Sequence, residues 1–343
     1  MERPGIGLSA VAVLLLALTM AGGAAPPADR VWFSPSPGSI DYIRLFERPE
    51  EWPHARQLVS VFKFYQQHTM TPAPSIVGPN TYDALARAGV FRLVNRWGKK
   101  IAIESWAVKE FYCTPDATGM NLAIADTVRA VNAVKTAGGG VAYLAMDEPF
   151  VSGRARTCNG PALEPTADRV ATYVNGVKGA FPDIQIGLIE AYPFSSADAI
   201  ERIVGLLKAR GVPPAFLHLD VDWHLSGPEA FTRDMLRLQA FAASENLTFG
   251  IIINGADGNS DPLYAIDAYT STGLIADTFR SWDHMPDQLI VQSWAASSTG
   301  LVITPTNLPE DRPYTHTNML WDVLRRLRGA NGASSSGKAV SRR

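Results

Sequence analysis

The chain has 343 residues, 46% of them hydrophobic and 19% charged, with 31 Lys+Arg against 33 Asp+Glu. That length holds one large domain with a sizeable core, or two small ones, and the composition is that of an ordinary globular protein. A formal charge of -2 without any long run of like charge excludes a general nucleic-acid binder, because phosphate binding needs a basic face.

Residues 1–25 have the form of an export signal. Arg3 supplies a small positive start, 8–20 is apolar, and small residues over 21–25 precede Pro26 and Pro27. The apolar run is short for a membrane span. A secreted or periplasmic protein with no stable membrane span is therefore expected.

A first short strand is predicted over 30–34, and apolar spacing predicts a helix over 40–46, ended by Pro49 and Pro53. The second strand is predicted over 58–65. A helix then starts with Asn80 as N-cap and runs toward Trp97. The third strand covers 101–106, and a helix over 121–137 stops at the three glycines 138–140. The fourth strand, from Val141, ends in Asp147 and Glu148 and is stopped by Pro149. A polar loop over 151–165 carries Cys158. Helices follow over 167–180, 196–210, 228–244, 261–281 and 315–328, alternating with strands over 184–190, 216–222, 247–254 and 288–294. Residues 329–343 are Gly/Ser-rich and basic, the composition of a disordered tail.

Eight near-continuously apolar strands alternating with helices are the signature of a parallel sheet covered on its outer face. Right-handed crossovers close such a sheet into a single-domain (β/α)8 TIM barrel, here spanning 26–328. Cys113 and Cys158 each follow a strand by a modest loop. If those strands are neighbours, both loops lie on one face, and export to an oxidising compartment favours a disulfide between them.

Alternation along each strand separates residues facing the helices from those facing the barrel interior. Lys63 on the second strand faces inward, as do Glu104 and Trp106 on the third and Asp147 on the fourth, with Glu148 one step further at the rim. On the sixth, His218, Asp220 and Asp222 point inward. Asn254 on the seventh and Gln292 and Trp294 on the eighth complete the set. Glu190 shares parity with the outward Ile186 and Leu188, yet lies at its strand's end. Active sites of such barrels lie at the C-terminal ends of the strands. Carboxylates grouped there with the aromatic faces of Trp106, Tyr192, Trp223 and Trp294 suit carbohydrate chemistry. One acid stays protonated and donates to the glycosidic oxygen, while an ionised partner attacks the anomeric carbon or activates water.

On these residues the chain resembles the TIM-barrel glycoside hydrolases. Asp147-Glu148-Pro149 on the fourth strand looks like the Asn-Glu-Pro of their large retaining clan, in which the glutamate is acid/base. Asp147 stands where that clan has asparagine, and the seventh strand ends Ile253-Asn254-Gly255 where the clan carries its nucleophilic glutamate. Acids after strands four, five and six look closer to other barrel glycosidases, including exopolysaccharide-degrading families.

The resulting expectation is a secreted, monomeric glycoside hydrolase acting on a polysaccharide or glycoconjugate, with no cofactor. Asp147 and Glu190 form the leading pair, Glu148 is the substitute acid/base, and Asp220 is the substitute for Glu190. Lys63, Glu104, His218, Asp222, Asn254 and Gln292 line the subsites. Two alternatives stand beside it. One is a divalent-metal-dependent barrel enzyme with ligands drawn from Glu104, Asp147, Glu190, His218 and Asp220. The other is a non-catalytic carbohydrate-binding barrel.

Overall fold

A computed structural model of the chain describes residues 29–114, 116–153, 158, 162–255, 260–293 and 306–329. The expected signal over 1–25, the tail beyond 329 and Trp294 lie outside the described residues. Eight strands form the barrel: β1 (Val31–Ser34), β2 (Val61–Tyr65), β3 (Lys100–Ser105), β4 (Val141–Asp147), β5 (Gln185–Tyr192), β6 (Phe216–Val221), β7 (Thr248–Ile253) and β8 (Gln288–Gln292). Each pairs in parallel with its sequence neighbour, and β8 pairs with β1, so the sheet closes as a TIM barrel.

The helices in order are α1 (Arg44–Glu47), α2 (Pro53–Leu58), α3 (Tyr82–Arg87), α4 (Val90–Arg96), α5 (Thr118–Thr136), α6 (Pro149–Gly153), α7 (Leu163–Ala180), α8 (Ala197–Ala209), α9 (Pro228–Ser244), α10 (Asp261–Phe279) and α11 (His316–Gly329). Local chemistry moves several boundaries from those expected. Asn80 caps no helix, because its Nδ2 donates to the carbonyls of Pro37 and Ser39 at 2.9 and 2.8 Å. Thr81 is the N-cap, and its Oγ1 accepts from the Ala84 N–H. The single helix expected over 80–97 is two helices, because Gly89 adopts φ 67° between them. Pro53 opens a helix where it was expected to end one, since proline suits the first helical position. The expected loop 151–165 is entered by α6 and the start of α7.

Two apolar layers hold the fold. The outer one packs strand residues such as Phe62, Phe64, Ile101, Ile103, Leu144, Met146, Leu217 and Leu219 against the helices. The inner one fills the barrel with Trp32, Val61, Ala102, Tyr143, Ala145, Ile189, Phe216, Ile252 and Ile290. On all eight strands another residue of the same parity lies two positions past the plug, and on seven it is polar: Ser34, Lys63, Glu104, Asp147, His218, Asn254 and Gln292, with Asp220 following His218 on β6; on β5 it is Ala191. An oily plug therefore closes the barrel and carries a charged layer at its C-terminal end.

Candidate active site

The charged layer is built from its base upward. Lys63 is fully buried, and its ammonium donates to Glu104 Oε2 and to Gln292 Oε1. Asp220 is also interior, with Oδ1 accepting from Asn254 Nδ2 at 3.0 Å. Asp147 at the end of β4 pairs through Oδ2 with Lys109 Nζ at 2.8 Å, an interaction across from the loop after β3. Despite its own burial, Lys109 is held above the usual lysine range by Asp147.

Glu148 departs from the strand pattern. Alternation would send its side chain outward, but its backbone sits at φ 47°, a left-handed conformation that side-chain-bearing residues rarely adopt. That conformation, pinned by the Glu148 N–H bond to the Ile189 carbonyl at 3.0 Å, brings Glu148 to the mouth beside Asp147.

Two cavities open there. One, about 280 Å³, is lined by Pro37, Tyr65, Gln67, Ile76, Glu104, Lys109, Asp147, Glu148, Asp220 and Gln292. The second, about 250 Å³, is lined by Glu148, Ala191, Phe194, Asp220, Val221, Asp222 and Asn254. Glu148 and Asp220 line both cavities, so these two acids stand where the cavities meet. Their environments separate their titrations. Burial, then the neighbouring Asp147 and Asp220, pushes Glu148 up to about 8, with Lys109 opposing. Burial pushes Asp220 up to about 6, restrained chiefly by the Lys63 charge. Burial also raises Glu104 against the pull of Lys63.

Other expected site residues lie elsewhere. Glu190 does not line either cavity, because outward parity on β5 turns its carboxylate toward α6, where Oε1 accepts the Phe150 N–H at 3.0 Å. Tyr192, with the same parity, sits in the outer core and donates its hydroxyl to Asp234 on α9 at 2.8 Å. Trp106 packs against the outer core with its ring edge-on to Phe111. Trp223 packs on Phe231 in the same layer. His218 faces the interior as expected, but in the plug, between Trp32 and Phe216 with its Nε2 on Gln288 Oε1 at 2.6 Å. Burial lowers its pKa to about 3, so it stays neutral. Asp222 lines the second cavity while its Oδ1 accepts the His224 and Leu225 N–H groups. No group of three or more His, Cys, Asp or Glu side chains among the described residues is arranged to hold a metal ion.

Cys113 and Cys158 form a disulfide with Cα atoms 4.9 Å apart, tying the loop that carries Lys109 to the segment after β4. Lys109, Tyr65, Gln67 and Phe194 were not anticipated. Tyr65 had a signal available, an inward hydroxyl reaching the Ser293 carbonyl from a strand end. Lys109 and Phe194 sit on loops, where no periodicity marks a facing direction.

No family profile matches the chain, and no curated protein matches it. Solved structures do resemble it. Xylanase 10B from Thermotoga petrophila RKU-1, in complex with xylobiose, superposes with a TM-score of 0.56 at 12% identity, covering 87% of this chain and 94% of that one. A GH10 xylanase from Thermobacillus composti gives 0.55 at 10% identity, covering 86% and 97%. A glucosidase from Croceicoccus marinus gives 0.50 at 12% identity, covering 88% and 67%. The chain thus has the TIM-barrel fold that these glycoside hydrolases carry. At such identity the likeness is one of fold.

Proposed function

We propose that this protein is an exported glycoside hydrolase that cleaves a polysaccharide or oligosaccharide between the two cavities. The observation that carries the reading is the pair Glu148 and Asp220, two carboxyls at the junction of the cavities whose pKa values are driven apart to about 8 and about 6. Near pH 7 Glu148 holds its proton and Asp220 is ionised. That is the division of labour glycosidic cleavage needs. Glu148 gives its proton to the glycosidic oxygen as the bond to the anomeric carbon breaks. Asp220 supplies the negative charge on the other side, as nucleophile or as base toward water, and water finally adds across the broken bond. This assignment replaces the Asp147–Glu190 pair expected from sequence. Asp147 is committed to Lys109 and Glu190 to the α6 backbone. The export-signal pattern over 1–25 and the disulfide support action outside the cytoplasm.

The test is release of reducing ends from a panel of polysaccharides. Glu148→Gln and Asp220→Asn are each expected to lower kcat/KM by about three orders of magnitude or more, in line with loss of an acid/base group. The wild-type pH profile is expected to be a bell, rising through about 6 as Asp220 ionises and falling through about 8 as Glu148 loses its proton. Full activity in either variant refutes the pair.

A further inference from the structure

We infer that the smaller cavity is a subsite for a sugar residue with an unsubstituted amine, so that the substrate is an amino-sugar polymer whose ammonium sits among Asn254, Asp220 and Asp222. The inference rests on the glycosidase reading and adds the chemistry of the substrate.

Asn254 carries it. The side chain is only 4% exposed, and Nδ2 donates to Asp220 Oδ1 at 3.0 Å. An ionised carboxylate only accepts, so this bond fixes which end of the amide faces Asp220. Oδ1 is left buried with no hydrogen-bond partner among the described residues, on a side chain whose residue lines the cavity. Buried acceptors are normally satisfied, and one that is not calls for a donor that the protein itself does not supply.

The rest of the lining asks for the same thing. Asp222 spends Oδ1 on the N–H groups of His224 and Leu225, at 3.1 and 3.2 Å, and Oδ2 makes no bond among the described residues. Asp220 likewise has only Oδ1 engaged. Among the described residues no lysine or arginine lines this cavity; Glu148 does, and the rest of the wall is apolar, with Phe194 60% exposed. The imidazole on the same loop, His224, pairs with Asp267. The larger cavity is different: it mixes acids with Lys109, Gln67 and Gln292.

A hydroxyl both donates and accepts, so a subsite for a neutral sugar gains from offering both. Apart from the Glu148 hydroxyl, which the mechanism directs to the glycosidic oxygen, the polar wall only accepts, and such a wall is complementary to a group that only donates. An ammonium has three donors and no acceptor. Its charge also offsets the cost of holding two carboxylates in a partly buried site. An N-acetyl group would remove that charge and turn a carbonyl oxygen toward oxygens. Phe194 offers a flat face to the apolar side of the sugar ring.

The experiment is calorimetric titration of the mature protein with methyl glycosides of glucosamine and galactosamine, their N-acetylated forms, and the parent neutral hexoses. The free-amine form of one configuration is expected to bind at least tenfold more tightly than its acetylated and neutral counterparts. Asp222→Asn, which keeps an oxygen for the turn, and Asn254→Leu are each expected to remove that preference while Tm stays near wild type. Equal or tighter binding of the neutral sugars overturns the inference, as does an unchanged preference in Asp222→Asn. Cleavage of a neutral polysaccharide with no amine preference would overturn it and leave the glycosidase reading standing. Selective amine binding with no cleavage of any glycan would support the subsite and sink the hydrolase.

Discussion

At the residue scale the mouth is governed by one buried cation. Lys63 has no exposure, and its charge is the main influence drawing Glu104 and Asp220 down against burial. Lys63→Met keeps the length of the side chain and removes the charge. Asp220 then ionises at higher pH, so the rising limb of the kcat/KM profile is expected to move up from about 6 while the falling limb of Glu148, which is not set by Lys63, stays in place. A merely structural loss would lower the whole profile without moving one limb, and pH-rate measurements on the two proteins separate the cases. Alternation alone was enough to find Lys63, Glu104, Asp220, Asn254 and Gln292, because each sits on a regular strand or, for Asn254, directly continues one. It put Glu148 at the rim only from its place after Asp147, since the positive φ that brings this residue to the mouth breaks the alternation that the reasoning assumes. It also gave Glu190 and Tyr192 the benefit of their position at a strand end. Their parity decided otherwise, and both side chains sit beneath helices.

At the scale of the element, each strand has to fit a bulky plug residue or leave room for a neighbour's. β5 leaves room: Gly187 points inward, and a Cβ built there would meet the Phe216 ring. On β7, a Cβ on Gly250 would lie 2.6 Å from His218 Cδ2. Phe216 is wedged among Trp32, Tyr143 and His218, with ring centroids 5.5, 5.9 and 4.6 Å away, so it has little freedom to yield. Gly187→Ala is therefore expected to destabilise the fold by about 1–3 kcal/mol, the usual cost of overpacking, visible as a lower midpoint in urea. An unchanged midpoint would mean that the plug can repack. All eight strands were legible because each is an apolar run bounded by turn residues. The division of the helix after residue 80 was not, since it depends on Gly89 adopting a conformation that the apolar pattern does not record.

For the whole molecule, the acids of the mouth set how stability depends on pH. Burial raises Glu104, Glu148 and Asp220, so the folded protein keeps protons that the unfolded chain has already released. Stability then falls as pH rises, from the ordinary carboxylate range until each folded-state pKa is passed. Three buried histidines act in the other direction. His68, His218 and His316 are lowered to about 4, 3 and 3, which makes the fold lose stability as pH drops below the ordinary histidine value of 6.5. At 6.5 the unfolded imidazoles are still half protonated, so their contribution levels off only about one pH unit higher, and it is the same in any variant that keeps these histidines. Asp220, at about 6, is then largely ionised in both states as well. Over the interval between 6.5 and 8 the difference between the wild type and a Glu148 variant therefore isolates Glu148, because the histidine contribution is common to both. Within it each retained proton costs about 1.4 kcal/mol of stability per pH unit. Unfolding free energy of the wild type is expected to decline from pH 6.5 to 8 and then level off. Glu148→Gln, which carries no titrating group, should decline less over the same interval and be the more stable protein at pH 8.5. Denaturant titrations at pH 6.5, 7.5 and 8.5 decide the matter. Parallel curves for the two proteins would show that Glu148 is ionised at neutral pH, and the acid role assigned to it would fall with that result.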